Sequence, residues 1–202
     1  MGVNVNERNA NGETALHQAA GNGHAEAVRA LAQLGADKDA KNPNGRTALH
    51  FATMNGHVEA IRVLVQLGAD KEVKSNHGGT PLHSAALEGH VEAIKVMVQL
   101  CADKEAKAAN GRTPMHYAAH KAHVEAIKVL AQLGVNKEAK DTDGRTALHH
   151  AAGMGHVEAV KVLEQLGAQI DTQDADGETP LQYSIRNGHH QAAQLLRELE
   201  RA

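Results

Sequence analysis

Aromatic side chains are almost missing from this chain of 202 residues, which contains one Phe, two Tyr and no Trp. A hydrophobic core must therefore be built from Ala, Val, Leu and Ile. Cys101 is the single cysteine, which excludes an internal disulfide framework and any multi-cysteine zinc or iron–sulfur site. A natural protein with this cysteine content is expected in the cytoplasm or another reducing compartment, whereas an artificial one has no compartment of its own.

Long apolar runs and an excess of positive charge are also missing. No run approaches the roughly 20 residues of a membrane span, and no charged segment followed by an apolar one opens the chain, so we expect neither a span nor a targeting leader. The formal net charge of −3 argues against binding to nucleic acid through bulk positive charge. Recurring lysines such as Lys38 and Lys71 alternate with acids such as Asp37 and Asp39, which is typical of a solvated, mutually neutralised edge.

The sequence does contain a regular internal repeat. A four-residue box that opens with threonine recurs at residues 14–17, 47–50, 80–83, 113–116, 146–149 and 179–182. The period is about 33 residues, which is typical of proteins built from stacked structural repeats. The box reads Thr-Ala-Leu-His or Thr-Pro-Leu-His, with Met115 and Gln182 as departures. A glycine stands two residues before each threonine, and a histidine follows each threonine by ten residues.

With this period, this box and the Gly-His step, the sequence resembles the ankyrin repeat family over nearly its whole length. The resemblance implies an all-α fold, a solenoid of stacked helix-turn-helix units with β-turn tips, and a single domain over residues 1–202. The expected repeats are residues 9–41, 42–74, 75–107, 108–140 and 141–173. A remnant of a preceding repeat at residues 1–8 and a C-terminal capping repeat at residues 174–202 complete the chain.

Each repeat can also be interpreted without the family. Threonine suits an N-cap, proline or alanine suits the first helical position, and a polar group three residues later can reach back to the cap. The box therefore predicts a short helix, and the glycine before each recurring histidine ends it. A second helix follows, as at residues 91–100, where Glu92, Lys95 and Gln99 form a narrow polar stripe. Because the rest of that helix is apolar, neighbouring repeats must cover it, and no repeat is expected to fold alone.

The two ends of the chain differ from the inner repeats. The last repeat carries a polar run that includes His190, Arg197 and Glu198, which suits an outer face. The first repeat has Ala25 and Ala30 at positions where the inner repeats have valine. We expect residues 1–8 to be loosely held and the first repeat to be the weaker end.

Fifteen histidines raise the possibility of a metal site. Eleven of them are periodic, and equivalent groups in stacked repeats lie about 8–10 Å apart, too far to share an ion bonded at about 2 Å. The recurring His-Val-Glu is similar to the His-x-Glu of zinc deaminases, but one cysteine cannot complete that zinc sphere. We therefore expect no metal, no cofactor and no catalytic residues.

Specific information must lie where the repeats differ. At about 100° per residue, the positions four, seven and eight residues after each threonine lie opposite the core-facing positions, and the residue before the threonine belongs to the adjoining turn tip. We call these four positions of each repeat the variable face. The predicted partner-binding residues on it are Arg46, Phe51, Met54, Asn55, Ser84, Leu87, Arg112, Tyr117, His120, Lys121, Arg145, His150 and Met154.

All three aromatics, Phe51, Tyr117 and Tyr183, occupy the position four residues after the threonine. Two interpretations stay open: exposed anchors of an interface, or fillers between neighbouring first helices. The first is favoured because Gln18 and Ser84 occupy the same position, which suggests that it is not constrained in volume.

Two residues depart from the framework close together in the sequence. Cys101 and Ala122 stand where other repeats have glycine. If the backbone there is left-handed, each side chain costs on the order of 1 kcal/mol. Drift after duplication and a selected change in the middle of the groove both explain the pair.

The resemblance implies a non-catalytic module that recognises another protein through a concave face, on which the variable face lies. The uniform framework also resembles a consensus-designed or library-derived ankyrin repeat protein, which would block its target by occupying a surface. The alternative is a structural scaffold or spacer without a specific partner. We expect a monomer that binds neither nucleic acid nor membranes.

Overall fold

The computed structural model describes residues 4–201, and these residues form helix pairs that repeat with the period of the sequence. The first helices of the pairs are α1 (Ala15–Gly21), α3 (Ala48–Met54), α5 (Pro81–Leu87), α7 (Pro114–His120), α9 (Ala147–Gly153) and α11 (Pro180–Arg186). The second helices are α2 (Ala25–Gln33), α4 (Val58–Gln66), α6 (Val91–Gln99), α8 (Val124–Gln132), α10 (Val157–Gln165) and α12 (His190–Leu199). The predicted all-α class and helix-turn-helix repeat are confirmed.

The predicted capping box starts every first helix. Thr47, for example, has extended backbone angles, and its N–H donates to the Nδ1 atom of His50 over 3.2 Å. In the last repeat Gln182 takes the place of histidine, and its Oε1 atom accepts from the Thr179 N–H over 2.9 Å. The helices are short because a glycine with positive φ, such as Gly56 at 72°, turns the chain toward the second helix in most repeats.

The chain divides into two compact units, residues 1–103 and 104–202. In the first unit, α1 packs on α3 and α3 on α5, while α2 packs on α4 and α4 on α6. In the second unit the same two layers run through α7, α9 and α11 and through α8, α10 and α12. Each unit has an aliphatic core of fully buried side chains, among them Leu49, Ile61, Leu64 and Ile94 in the first and Met115, Ile127, Leu148 and Leu163 in the second. The single domain stays a prediction.

A periodic hydrogen bond links the loops that follow the second helices. The side chain of Asp39 accepts from the backbone N–H of Asp70 over 2.9 Å, and Glu72 accepts from Asp103 over 2.8 Å. Asn6 makes the same bond to the N–H of Asp37 over 2.8 Å, so residues 4–8 lie where the tail of a preceding repeat would lie. The expected looseness of residues 1–8 is therefore not seen in Asn6, and residues 1–3 lie outside the described part of the chain.

The two departures from the framework have the left-handed backbone of the glycines that they replace. Cys101 has φ of 61° and Ala122 has φ of 58°, compared with 82° at Gly68 and 73° at Gly89. A side chain at such an angle costs on the order of 1 kcal/mol. Both residues therefore keep the repeat geometry at a small cost in stability.

Candidate functional site

The histidines of the capping boxes are structural. Each of these rings accepts a threonine N–H at Nδ1. In His17, His50, His116 and His149 the Nε2–H donates to a backbone carbonyl of the next repeat over 2.9–3.1 Å. Both bonds require the neutral ring with its proton on Nε2. Burial lowers the pKa of His50 and of His116 to about 4, despite the carbonyl that each ring binds, so these rings are locked as neutral bridges between repeats.

The histidines that open the second helices make a second set of bridges. The Nε2–H of His57 donates to the carbonyl of Gly21, that of His90 to Met54 and that of His156 to His120, all over 2.9–3.0 Å. Two of these rings cover a glycine, since a side chain at Gly23 would overlap the ring of His57 and one at Gly56 the ring of His90. A ring nitrogen that serves such a bond is not open to a metal ion.

In residues 4–201, one group of side chains has metal-like spacing: Asp174, Asp176 and Glu178. Two arginines pair with these acidic side chains. Arg145 lies 3.2 Å from Asp174 and 3.6 Å from Asp176, and Arg186 lies 2.7 Å from Glu178. The group is a network of ion pairs around two guanidinium groups.

On the first unit, the variable face is partly open to solvent. Arg46 and Met54 are half-buried and in contact, with the Nη1 atom of Arg46 3.8 Å from the Sδ atom of Met54. Asn55 is exposed, and its side-chain amide donates to the carbonyl of Gly21 over 2.9 Å. Ser84 and Leu87 are half-buried. Arg46 and Met54 are therefore held against each other and Asn55 against the preceding repeat, and each side chain keeps an accessible part.

Phe51 is half-buried because it packs on the preceding repeat. Its ring lies edge-on to His17 at 5.4 Å between centroids, and a side chain at Gly21 would come within 3.3 Å of the Phe51 ring. The ring thus fills the space that a glycine leaves on α1.

On the second unit, the prediction that His150 is an exposed contact residue is wrong. It is 3% exposed, and its Nε2–H donates to the Oδ2 atom of Asp141 over 2.7 Å. Burial alone would raise the pKa of the Asp141 carboxyl, but bonds from His150 and from the backbone N–H groups of Arg145 and Asp143 hold that pKa well below its usual range. The helical angle predicts that His150 lies on the outer side of α9, but its hydrogen bond to the buried carboxylate of Asp141 in the preceding turn holds the ring inside.

The same cluster includes two other predicted contact residues. The Nε atom of Arg112 lies 3.6 Å from the Asp141 carboxylate. The ring of His120 lies edge-on to His150 at 6.0 Å, and burial, followed by the charge of Arg112, lowers the pKa of His120 to about 4. Arg112, His120 and Tyr117 are half-buried, whereas Lys121 is exposed. The cluster holds Arg112 and His120 in place beside the accessible Lys121.

Arg145 and Tyr183 form a further packed group. The guanidinium groups of Arg145 and Arg186 lie 4.6 Å and 4.8 Å from the ring centre of Tyr183, on which they stack. A side chain at Gly153 would overlap the Tyr183 ring. Arg145 is half-buried in this group, while Met154, 44% exposed, lies at the end of α9.

Phe51 and Tyr183 therefore act as fillers against the preceding repeat, which is the second of the two interpretations, whereas for Tyr117 both interpretations stay open. Phe51 covers Gly21 and Tyr183 covers Gly153, whereas His150 meets the ring of His120. The sequence signal was present, because these two aromatics follow first helices that end in glycine.

Sequence reasoning also missed two buried carboxylates. Asp141 and Asp174 open the repeats that follow those of Arg112 and Arg145, and each carboxylate lies beside the arginine of the preceding repeat. The recurrence of an arginine at the tip and an aspartate at the start of the next repeat could have indicated both pairs.

A family model described as ankyrin repeats, in three copies, matches residues 1–75, 67–141 and 133–201. The chain belongs to the ankyrin repeat family. None of the curated proteins compared with the chain matches it. Ankyrin repeats are generally protein-interaction modules and form a non-catalytic fold. In residues 4–201, no helix of this ankyrin repeat protein is both long and apolar enough to cross a membrane.

Proposed function

We propose that the protein recognises another protein through the variable face and has no catalytic activity of its own. The observation that carries the proposal is the contrast between repeated and variable positions. The capping-box threonines and histidines of the first five repeats and the core residues are buried, whereas Asn55, Lys121 and Met154 on the variable face are exposed.

The accessible residues suit protein recognition. On the first unit, Met54 and Arg46 are held against each other, so little side-chain entropy is lost when a partner covers them. On the second unit, the exposed Met154 offers an adaptable apolar contact, and Lys121 offers a charge at the end of α7. Methionine and arginine are enriched in the buried centres of interfaces. A library-derived ankyrin protein would use the same surface, blocking its target by occupying it.

We expect no catalysis because the buried titratable groups already take part in structural hydrogen bonds. The buried rings of His50 and His116 bond at both nitrogens, and Asp141 accepts from His150 and from backbone N–H groups. A general base or nucleophile needs a free position toward a substrate. These groups serve the packing of repeats instead.

Capture of partners from a cell extract and from a displayed library of protein fragments tests the proposal. The wild-type chain is compared with two double variants of the variable face, Met54→Ala with Asn55→Ala on the first unit and Lys121→Ala with Met154→Ala on the second. We expect at least one of them to bind the captured protein about tenfold or more weakly, since anchors contribute roughly 1–3 kcal/mol each. The Tm of the Lys121 and Met154 variant should change little, because both side chains are exposed. The first variant also loses the bond from Asn55 to Gly21 and should melt slightly earlier.

Matched controls carry alanine at exposed positions of the second helices: Gln66 with Gln99, and Gln132 with Lys161. These controls should bind as the wild type does. A scaffold without a specific partner would capture no protein reproducibly from either source. Loss of binding in the controls, with both variable-face variants unaffected, would move the interface to the second helices and contradict the proposal.

A further inference from the structure

The first repeat leaves an apolar stripe of α2 and its C-terminal end uncovered. Ala27 and Ala30 are exposed, Leu31 is half-buried, and Leu34 is 72% exposed. Their spacing of three, four and seven residues places them on one face of the helix. Leu34 is the most exposed of the large hydrophobic side chains in residues 4–201.

The equivalent stripe in the second repeat is covered. Ala60, Val63 and Leu64, the counterparts of the first three residues, have 0% exposure, Leu67 is half-buried, and α4 packs against α2. The uncovered stripe is therefore the continuation of an interface that the protein already forms between its own repeats. It has the composition of a surface that is buried in the folded state.

A groove of about 440 Å³ runs beside the stripe. It is lined by Asn4, Val5, Glu7, Ala15, Leu31 and Leu34. The same surface thus offers an exposed apolar side chain, Leu34, and a recess lined mostly by apolar side chains. A surface that contains both features can be complementary to itself across a two-fold axis.

The last repeat does not provide a matching surface. The exposed residues of α12 are polar, among them Gln191, Gln194 and Arg197, and on α11 the exposed Ile185 stands beside the charged Arg186. Covering the stripe of α2 with this surface would bury charged groups against alanine and leucine, which is costly. Head-to-tail stacking of copies is therefore disfavoured.

We infer that the stripe of α2 is a self-association surface, covered by the same stripe of a second copy of this chain. The interface is isologous, so association closes at the dimer. This proposal differs from the sequence-based expectation of a monomer. The variable face lies on the first helices and takes no part in this contact.

Light scattering coupled to size exclusion, run from low micromolar to several hundred micromolar protein, tests the inference. A reducing agent is present throughout, because the exposed Cys101 could otherwise link copies covalently. The molar mass should rise with concentration from 21.4 kDa toward twice that value and no further. Leu34→Glu should weaken the dimer at least tenfold, and Ala30→Glu should do the same from the middle of the stripe.

Ile185→Glu is the matched control, since it introduces the same charge at another exposed apolar residue, 45% accessible, in the last repeat. It should leave the dimer intact. Circular dichroism of all three variants verifies that their helix content is that of the wild type. A monomer at every concentration, a mass that grows beyond the dimer, or a dimer that resists Leu34→Glu but not Ile185→Glu would each overturn the inference.

Discussion

Removal of residues 174–202 should lower the Tm of the protein by about 10 °C or more, or cause it to aggregate, since each lost kcal/mol shifts Tm by roughly 2–4 °C at this size. The deletion removes the packing of α11 on α9 and of α12 on α10. It also takes from Arg145 its partners Asp174 and Asp176, and from His149 the carbonyl of Glu178. Apolar surface of the fifth repeat would then be exposed to water, and its buried polar groups would lose their hydrogen-bond partners.

Thermal unfolding followed by circular dichroism measures the effect, with Gln191→Ala in the full-length chain as a control that keeps the repeat. The control should melt as the wild type does, because Gln191 is exposed. A truncated chain that is soluble and equally stable would show that the last repeat does not protect the fifth.

Acidification from pH 7 to pH 4.5 should destabilise the protein by several kcal/mol. His50 and His116 have a pKa of about 4 in the folded state, whereas an unfolded histidine has a pKa near 6.5. The unfolded state therefore binds more protons between these values. The contribution of the two neutral rings to the free energy of unfolding is fully present above pH 6.5. It is lost as the pH falls toward 4, by about 1.4 kcal/mol per pH unit for each ring.

Urea unfolding at several pH values measures this slope, and the chain itself suggests the control. Gln182 occupies the histidine position of the last repeat and accepts the Thr179 N–H without titrating. His50→Gln and His116→Gln should lower stability at pH 7, because the bridge to the next repeat is lost. Each should also reduce the slope by about 1.4 kcal/mol per pH unit. A free energy of unfolding that is constant between pH 7 and pH 5 would contradict the buried neutral rings.

The sequence predicted the repeat and its helices because the signals that set them are local. A threonine cap and a histidine three residues later bond within one turn, so the pattern alone indicates the contact, as at Thr47 and His50. The glycines at the same position in other repeats raised the possibility of a positive φ at Cys101 and Ala122, and both residues have one. Periodicity thus substitutes for structural information wherever one repeat copies another.

The candidate site was less predictable because its side chains are placed by contacts outside their own helix. A helical angle assigns His150 to the outer side, and the buried Asp141 then draws it inward. Phe51 and Tyr183 had two open interpretations, which the glycines opposite them decide. Such contacts join a helix to a turn or to the neighbouring repeat, and a single-helix projection cannot represent them.

The central claim is that recognition takes place on the variable face, and hydrogen exchange on the complex with a captured partner tests it most directly. Amide protection gained on binding should concentrate in the turn tips and in the first helices, such as α3 in the first unit and α9 in the second. Peptides from the second helices α4 and α10 should exchange at the rate of the free protein. Protection confined to the second helices, with the first helices and tips unchanged, would contradict the claim.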